Sequence, residues 1–167
     1  MPAGLKQSSA TVSIGFSVAE SAANTFTQQE VDLNLSPLDR EVFVVQAINL
    51  DAEVPDLGAA DSKVTATLTS TSQTALANLG DANTLAQGQF SIKADATRAV
   101  GFTQQSLETP PATMDYIGII ATNDFFVQVQ GAGNTVAKGV SGKLYGYRAV
   151  ATADIYAALV QSEVLSA

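Results

Sequence analysis

The stretch TVSIGFSV, residues 11–18, has the clearest periodicity in this chain. Its apolar side chains, at Val12, Ile14, Phe16 and Val18, alternate with small or polar ones. A period of two places successive side chains on opposite sides of an extended strand, so that one face is buried and the other is solvated. The stretch therefore predicts a β-strand with one face in a core.

The next two apolar runs are also typical of strands. Val31, Leu33 and Leu35 alternate with charged and amide residues, and this run stops at Pro37, which lacks a backbone donor and favours a turn. Residues 42–50, VFVVQAINL, are almost continuously apolar and rich in β-branched side chains. Such a run indicates a central strand that is covered on both faces.

Alternation continues along the rest of the chain. A loop is predicted at residues 51–61, which hold Pro55, Gly58 and four acidic residues, and a fourth strand at residues 63–69. Further strands are predicted at residues 89–94, 99–103, 116–122, 125–130 and 143–150. Asn123-Asp124 separates two of these strands, residues 116–122 and 125–130, and this turn-forming pair predicts a tight hairpin.

Two segments favour helical structure instead. Residues 72–79 carry Ala and Leu at helical spacing, with Ser72 or Thr74 as a cap and Gly80 as a stop, which predicts a short helix or helical turn. Residues 152–165 place apolar side chains four positions apart, which predicts a short terminal helix, with an edge strand as the alternative.

Many short strands with frequent turn signals indicate an all-β protein, an antiparallel β-sandwich or a barrel. Two four-stranded sheets are the simplest solution, so we predict an eight-stranded single jelly roll with one or two short helices, although other Greek-key sandwiches have the same strand count. The 167 residues predict one domain, 1–167. Residues 1–10 are expected to be flexible or ordered at an interface.

The composition excludes several functions. Cys and His are both absent, so there is no disulfide, no thiolate or imidazole metal ligand, and no Cys-His or Ser-His-Asp catalytic arrangement. Eight Lys and Arg stand against 16 Asp and Glu, for a formal net charge of −8. The basic residues are spread singly along the chain, whereas phosphate binding needs several converging cations. Direct binding to nucleic acid or to an anionic membrane is therefore not expected.

Neither a signal peptide nor a membrane span is visible. The N-terminus, MPAGLKQSS, has no apolar stretch of signal-peptide length, and no stretch approaches the roughly 18 apolar residues that a span requires. We expect a chain that is made in soluble form in the cytoplasm and is not inserted into a membrane.

Two segments resemble nucleotide-binding motifs but lack residues that those motifs require. The segment ending in Gly142-Lys143 has Ala137 where a phosphate-binding loop needs Gly, and Leu144 replaces the magnesium-binding hydroxyl. The sequence Gly131-Ala132-Gly133-Asn134 starts like a dinucleotide fingerprint but lacks the third Gly and a following helix. We interpret it as a turn, and no cofactor is expected.

The acidic loop is the one candidate for a cation site. Asp51, Glu53, Asp56 and Asp61 are close enough in sequence to supply oxygen ligands to calcium, but their spacing matches no EF-hand, and a solvated loop is the favoured interpretation. Carboxylates such as Asp51 and Glu53 also serve glycoside hydrolysis, but that chemistry needs aromatic sugar platforms, and the chain has no Trp. We assign no catalytic, cofactor-binding or metal-binding residue and expect no enzyme.

A glycine between two tyrosines is the most distinctive local feature after the predicted hairpin. Tyr145 and Tyr147 share one face of a strand, and Gly146 between them permits another strand or chain to approach closely. A sandwich face with a bulge is the favoured interpretation, and an interface is the alternative.

Three segments carry a resemblance to a known family: FFVQVQG at residues 125–131, LYGYR at residues 144–148 and IYAALVQ at residues 155–161. In a chain without Cys that is rich in Ala, Thr and Ser, they make the sequence similar to the small single jelly-roll major capsid proteins of tail-less icosahedral viruses with an internal membrane. The resemblance implies a virion protein that assembles with copies of itself, alone or with a second, larger jelly-roll protein, into a closed shell.

The chain lacks the basic N-terminal arm that neutralises packaged RNA in better-known capsids, so a shell in direct contact with its genome is disfavoured. The alternative to a capsid subunit is a decoration, fibre or glycan-binding β-sandwich module. An enzyme built on carboxylates or hydroxyls is the third hypothesis.

Overall fold

The computed structural model describes residues 2–105 and 114–166. Within these ranges the chain forms ten strands and one helix. The strands are β1 Leu5–Gln7, β2 Val12–Ala19, β3 Thr27–Asp32, β4 Glu41–Ala52, β5 Ser62–Thr69, β6 Thr84–Ala94, β7 Ala99–Gln105, β8 Gly118–Ile120, β9 Asp124–Ala132 and β10 Gly139–Ala151, and the helix is α1 Ala153–Leu165.

The strands form two antiparallel sheets. The front sheet has the order β1-β10-β4-β8, with β2 also paired to β10, and the back sheet has the order β3-β9-β5-β6-β7. Apart from β1 and β7, the strands nest in pairs, with β2 against β10, β3 against β9, β4 against β8 and β5 against β6. A long hairpin that folds over into two Greek keys has this nesting. The predicted jelly-roll sandwich is therefore confirmed, with β1 and β7 as additional strands.

The main core lies between the inner faces of the two sheets. On β5, Val64, Ala66 and Leu68 point into it and are fully buried, as the alternation predicts. Phe16 of β2 and Phe125 of β9 meet across the sandwich, with ring centroids 5.9 Å apart and an interplanar angle of 73°. This edge-to-face contact joins the first strand of the jelly roll to the opposite sheet.

The prediction of a central strand is confirmed by β4. It lies between β10 and β8, and its first apolar residues are buried on both faces. Phe43 and Val45 belong to the main core, whereas Val42 and Val44 belong to a second cluster on the outer face of the front sheet.

Helix α1 covers that second cluster, so the helical interpretation of residues 152–165 is confirmed and the edge-strand alternative is wrong. Thr152 is the N-cap residue, and Asp154 lies in the first turn, where a negative charge is favourable. The helix residues packed on the sheet are Ile155, Tyr156, Leu159 and Val160. Among the described residues, no helix combines the length and the apolar character needed to cross a membrane.

The predicted hairpin around Asn123-Asp124 is wrong. β8 pairs with β4 in the front sheet, whereas β9 pairs with β3 and β5 in the back sheet, so residues 121–123 form a corner between sheets. The amides of Ala121 and Thr122 donate to the Glu163 carboxylate, at 2.7 and 2.9 Å. Those amides are therefore bonded to α1 and not to a paired strand.

The predicted helix at residues 72–79 is also wrong, because side chains engage its backbone amides. The Gln73 amide donates to Gln28 Oε1 at 2.8 Å, and the Asn78 amide donates to Asp81 Oδ2 at 2.8 Å. The segment forms bends and turns, so the chain has one helix among the described residues.

The end of β3 and the order at the N-terminus differ from the expectation. β3 ends at Asp32, because Asn34 adopts a positive φ of 52° and the Asn123 side chain accepts the Leu35 amide at 2.7 Å. At the N-terminus, where a flexible or interface-ordered segment is expected, residues 5–7 pair with β10 of the same chain. Leu5 is buried there, which accounts for this order.

Gly146 lies at a β-bulge, in agreement with the favoured interpretation of the tyrosine strand. The register between β10 and β4 shifts between Tyr145 and Gly146, so that Gln46 of β4 is the additional residue. A Cβ on Gly146 would overlap the Val44 carbonyl oxygen and lie 2.5 Å from Phe43 Cε1. The close approach that Gly146 permits is therefore to β4 of its own chain.

Candidate functional surface

The outer face of the back sheet is polar and joined by hydrogen bonds. Thr67 and Thr69 of β5 alternate with the core residues and point outward, beside Gln128 of β9. Thr67 Oγ1 donates to Gln128 Oε1, and Gln128 Nε2 donates to Thr69 Oγ1 at 2.8 Å and to Gln28 Oε1 at 2.9 Å. Because Gln128 is fully buried and its amide is bonded at both ends, this network stabilises the sheet.

A depression of about 430 Å³ lies at one end of this face. Lys63 and Lys93 line it, and Arg98 lines an adjoining pocket that shares Lys93 and Asp61 with it. We call the two pockets together the basic depression. The depression is also lined by Asp61, Gln89, Ser91, Phe102 and Gln104. Phe102 is 39% exposed and Val100 on the same face is 65% exposed, so apolar surface adjoins the cations.

The cations of the basic depression are weakly engaged. Lys93 pairs with Asp61 at 2.9 Å, and Arg98 pairs with Asp95 at 3.8 Å, but both pairs are largely exposed. Exposed pairs of this kind are worth roughly 0–1 kcal/mol each, because water competes for both charges. Lys63 is exposed and forms no ion pair with any residue that the structure describes. These three cations are therefore available to an anionic partner.

Three carboxylates gather at the opposite end of the same face, which we call the acidic corner. Asp32 of β3 is directly opposite Asp124 of β9, and Glu30 is diagonal to Asp124 across the same strand pair. Burial raises the pKa of Asp124 to about 6, together with a hydrogen bond to Glu30 and the negative charges of Glu30, Asp32 and Glu163. These neighbouring carboxylates repel one another, and the repulsion lowers the stability of the isolated chain.

Glu163 of α1 adjoins the acidic corner but has partners of its own. Burial raises the pKa of its carboxyl group, while the hydrogen bonds from Ala121, Thr122 and Ser70 oppose that change. The residue is 8% exposed. It therefore acts as a buried tie between the helix and the corner at residues 121–123.

The carboxylates of the predicted acidic loop do not converge on one point. Asp56 accepts bonds from Lys138 Nζ at 2.7 Å and from the Thr135 amide at 2.9 Å, which hold the pKa of Asp56 well below its usual range. Asp61 pairs with Lys93 instead, and Asp51 belongs to β4. Across residues 2–105 and 114–166, no group of three or more acidic side chains is arranged to hold a metal ion.

Comparison with known proteins gives little. No protein-family model and no curated protein matches the chain. Among solved structures, a likeness is found to a tailspike protein from the Acinetobacter baumannii bacteriophage Fri1, a capsular polysaccharide depolymerase. The identity is 11%, the TM-score is 0.17, and the likeness covers 75% of this chain and 21% of the tailspike chain. The chain thus spans about a fifth of that protein's length, and a likeness this slight bears on neither fold nor function.

Sequence reasoning missed both charged patches. Glu30 and Asp32 are visible as alternate residues of one strand, but Asp124 belongs to a turn in the hairpin interpretation, far from β3. The basic residues look solitary along the chain because Lys63, Lys93 and Arg98 are about 30 residues apart or on either side of a tight turn. Only the pairing of β5, β6 and β7 brings them together.

Proposed function

We propose that this chain is a capsid subunit of an icosahedral virus, which assembles with copies of itself, alone or with a second jelly-roll protein, into a closed shell. The nested strand order of the two sheets carries the proposal, because viral capsid domains are among the proteins that use the eight-stranded jelly roll. Lectin and cupin domains use it as well, so the fold alone does not decide the function. The resemblance of three sequence segments to small jelly-roll capsid proteins favours the capsid among these.

The distribution of apolar and charged residues supports the same proposal. Exposed large apolar side chains occur in loops, as at Leu38 and Leu57, but also in two pairs: Val100 with Phe102 on the edge strand β7, and Val164 with Leu165 at the end of the helix. Exposed apolar groups that lie close together mark contact surfaces more often than scattered ones do. In a shell, repetition by symmetry multiplies such modest contacts.

The acidic balance of the chain favours a shell that does not touch nucleic acid. With a formal charge of −8, the subunit is repelled by the phosphates of nucleic acid, so a shell or outer layer that does not touch the genome fits best. The proposal assigns no reaction and no cofactor to the chain.

The test is the mass of the purified chain by light scattering over a wide range of concentration and salt, with electron microscopy of any large species. We expect trimers, pentamers, hexamers or closed particles. A chain that stays monomeric under all of these conditions contradicts self-assembly.

A glycan-binding module is the second candidate, and the basic depression is the observation that favours it. Amide and hydroxyl groups of Gln89, Ser91 and Gln104 border the exposed ring of Phe102 there. Such groups suit sugar hydroxyls and the apolar face of a pyranose ring. Saturable binding on a glycan array that is lost in Phe102→Ala, from a chain that remains monomeric, would favour this candidate over the capsid subunit.

A further inference from the structure

Two patches of opposite charge lie at opposite ends of one sheet face. Lys63 of the basic depression is opposite Ala132, the last residue of β9, whereas Asp124 of the acidic corner is the first residue of that strand. At roughly 3.3 Å per residue, the nine-residue strand separates them by roughly 26 Å. That distance exceeds the Debye length of about 8 Å at physiological ionic strength, so the two patches do not neutralise each other within one chain.

Cations from another molecule would stabilise the acidic corner. Glu30, Asp32 and Asp124 form no ion pair with any Lys or Arg that the structure describes. Opposed like charges on neighbouring strands are destabilising, and a cation between them removes that cost. The corner is accessible, because Glu30 and Asp32 are both exposed.

The basic depression has the matching properties. Its three cations outnumber the two carboxylates, Asp61 and Asp95, that pair with them. The apolar side chains of Val100 and Phe102 adjoin the cations, so a docked surface also removes apolar area from water. The chain as a whole has a net charge of −8, whereas this patch is cationic and adjoins apolar surface. It is therefore complementary in charge to an acidic protein surface.

We propose that the acidic corner of one copy of this chain docks in the basic depression of a second copy. This inference rests on the proposed function and deepens it, because it names the surfaces through which subunits meet. A two-fold arrangement makes the contact twice and closes as a dimer, whereas a head-to-tail arrangement leaves one patch of each kind free and continues into a ring or an open chain. In both arrangements each contact joins an acidic corner to a basic depression. Reversing the charge of either patch by substitution therefore tests the contact directly.

The test uses two charge-reversed variants of the whole chain. The first carries Lys63→Glu with Arg98→Glu in the basic depression, and the second carries Glu30→Lys with Asp124→Lys in the acidic corner. We expect each variant alone to associate at least tenfold more weakly than the wild type in light scattering or analytical ultracentrifugation. An equimolar mixture of the two should recover association to within threefold of the wild type, because each altered patch then faces a patch of opposite charge.

A matched control separates the contact from net charge. Lys6→Glu with Lys143→Glu makes the same change in net charge as the first variant, at exposed lysines of the front sheet. We expect it to alter association less than twofold. Circular dichroism and thermal melting confirm that all variants are folded.

The possible failures are distinct. If the wild type associates but the depression variant behaves like the control, or if the mixture does not recover association, this contact is wrong and the proposed function stands. If the wild type does not associate at all, this contact is wrong and self-assembly of the chain alone is contradicted as well. If a glycan fills the basic depression and association is unchanged by charge reversal, the depression is a ligand site and the contact is again wrong.

Discussion

Glu163 in the last turns of α1 accepts a hydrogen bond from the backbone amide of Ala121 at 2.7 Å, across 42 positions of sequence. The same carboxylate oxygen accepts the Thr122 amide at 2.9 Å. A helix on the outer face of the front sheet is thereby tied to the corner through which the chain passes into the back sheet. This hydrogen bond joins two buried residues, since Ala121 and Glu163 are both less than a tenth exposed.

The first prediction concerns this tie. Glu163→Ala leaves two amides of the corner without an acceptor, and we expect it to lower the free energy of unfolding by about 2–3 kcal/mol. Glu163→Gln retains an acceptor oxygen and places its amide group near Thr122 Oγ1, so its effect should stay within about 1 kcal/mol. Urea denaturation measures both, and equal losses in the two variants would contradict an acceptor role.

The second prediction concerns pH. The pKa of Asp124 is raised from 3.8 to about 6, first by burial and then by its acidic neighbours. Between these values the folded chain holds a proton that the unfolded chain has released, so stability falls as pH rises from about 4 to about 6. Asp124→Asn cannot titrate, and we expect the wild type to lose about 1–2 kcal/mol relative to it over this range.

Comparing the two proteins cancels the contributions of carboxylates that do not interact with Asp124. Asp56, Asp61 and Asp95 have lowered pKa values, so their stabilising contributions are lost on acidification below about pH 4, which is the opposite sign and a different window. The measurement is urea denaturation of wild type and variant at half-unit steps from pH 4 to pH 8. A difference between them that does not change with pH would contradict the assignment.

The third prediction concerns the polar network of the back sheet. Gln128→Ala removes the partner of Thr67, Thr69 and Gln28 at a fully buried position, and we expect a loss of about 2–3 kcal/mol. Gln130→Ala, on the same face of β9 but less buried, should cost less than about 1 kcal/mol. Thermal melting of the two variants compares them, and the reverse order would show that burial and bonding at Gln128 do not decide stability.

The fourth prediction concerns Gly146. A methyl group there overlaps the Val44 carbonyl oxygen and the Phe43 ring, so Gly146→Ala should destabilise the chain by about 2–3 kcal/mol through forced displacement of β4. Gly15→Ala is the matched control, because an added Cβ at that strand position meets nothing within 4 Å. We expect the control to stay within about 0.5 kcal/mol of the wild type, measured by the same denaturation.

Local patterns account for the elements that were predicted correctly. Strict alternation at residues 11–18 and 63–69 gives β2 and β5, and the continuous apolar run at residues 42–50 gives the doubly covered β4. The terminal helix follows from apolar residues four positions apart. Each of these depends on the periodicity of a single segment, which is set by backbone geometry within that segment.

The predicted helix at residues 72–79 and the predicted hairpin at Asn123-Asp124 were wrong because contacts distant in sequence determine both segments. The pattern at residues 72–79 is helical, but Gln28 and Asp81 side chains engage its amides. The turn at Asn123-Asp124 is compatible with a hairpin and with a corner alike, because strand alternation is the same in both. Glu163, some forty residues later, bonds the corner amides and favours the second.

Local periodicity predicts an antiparallel all-β protein and favours a terminal helix, because the spacing of apolar residues follows from how each short segment exposes its side chains. Which strands pair and which charges become neighbours follows only from the tertiary structure. The acidic corner needs Glu30 and Asp124, and the basic depression needs Lys63 and Arg98, and neither pair is close in sequence. Their proximity depends on which apolar faces are buried together in the jelly roll. That depends on contacts between distant segments, and the periodicity of a single segment does not report it.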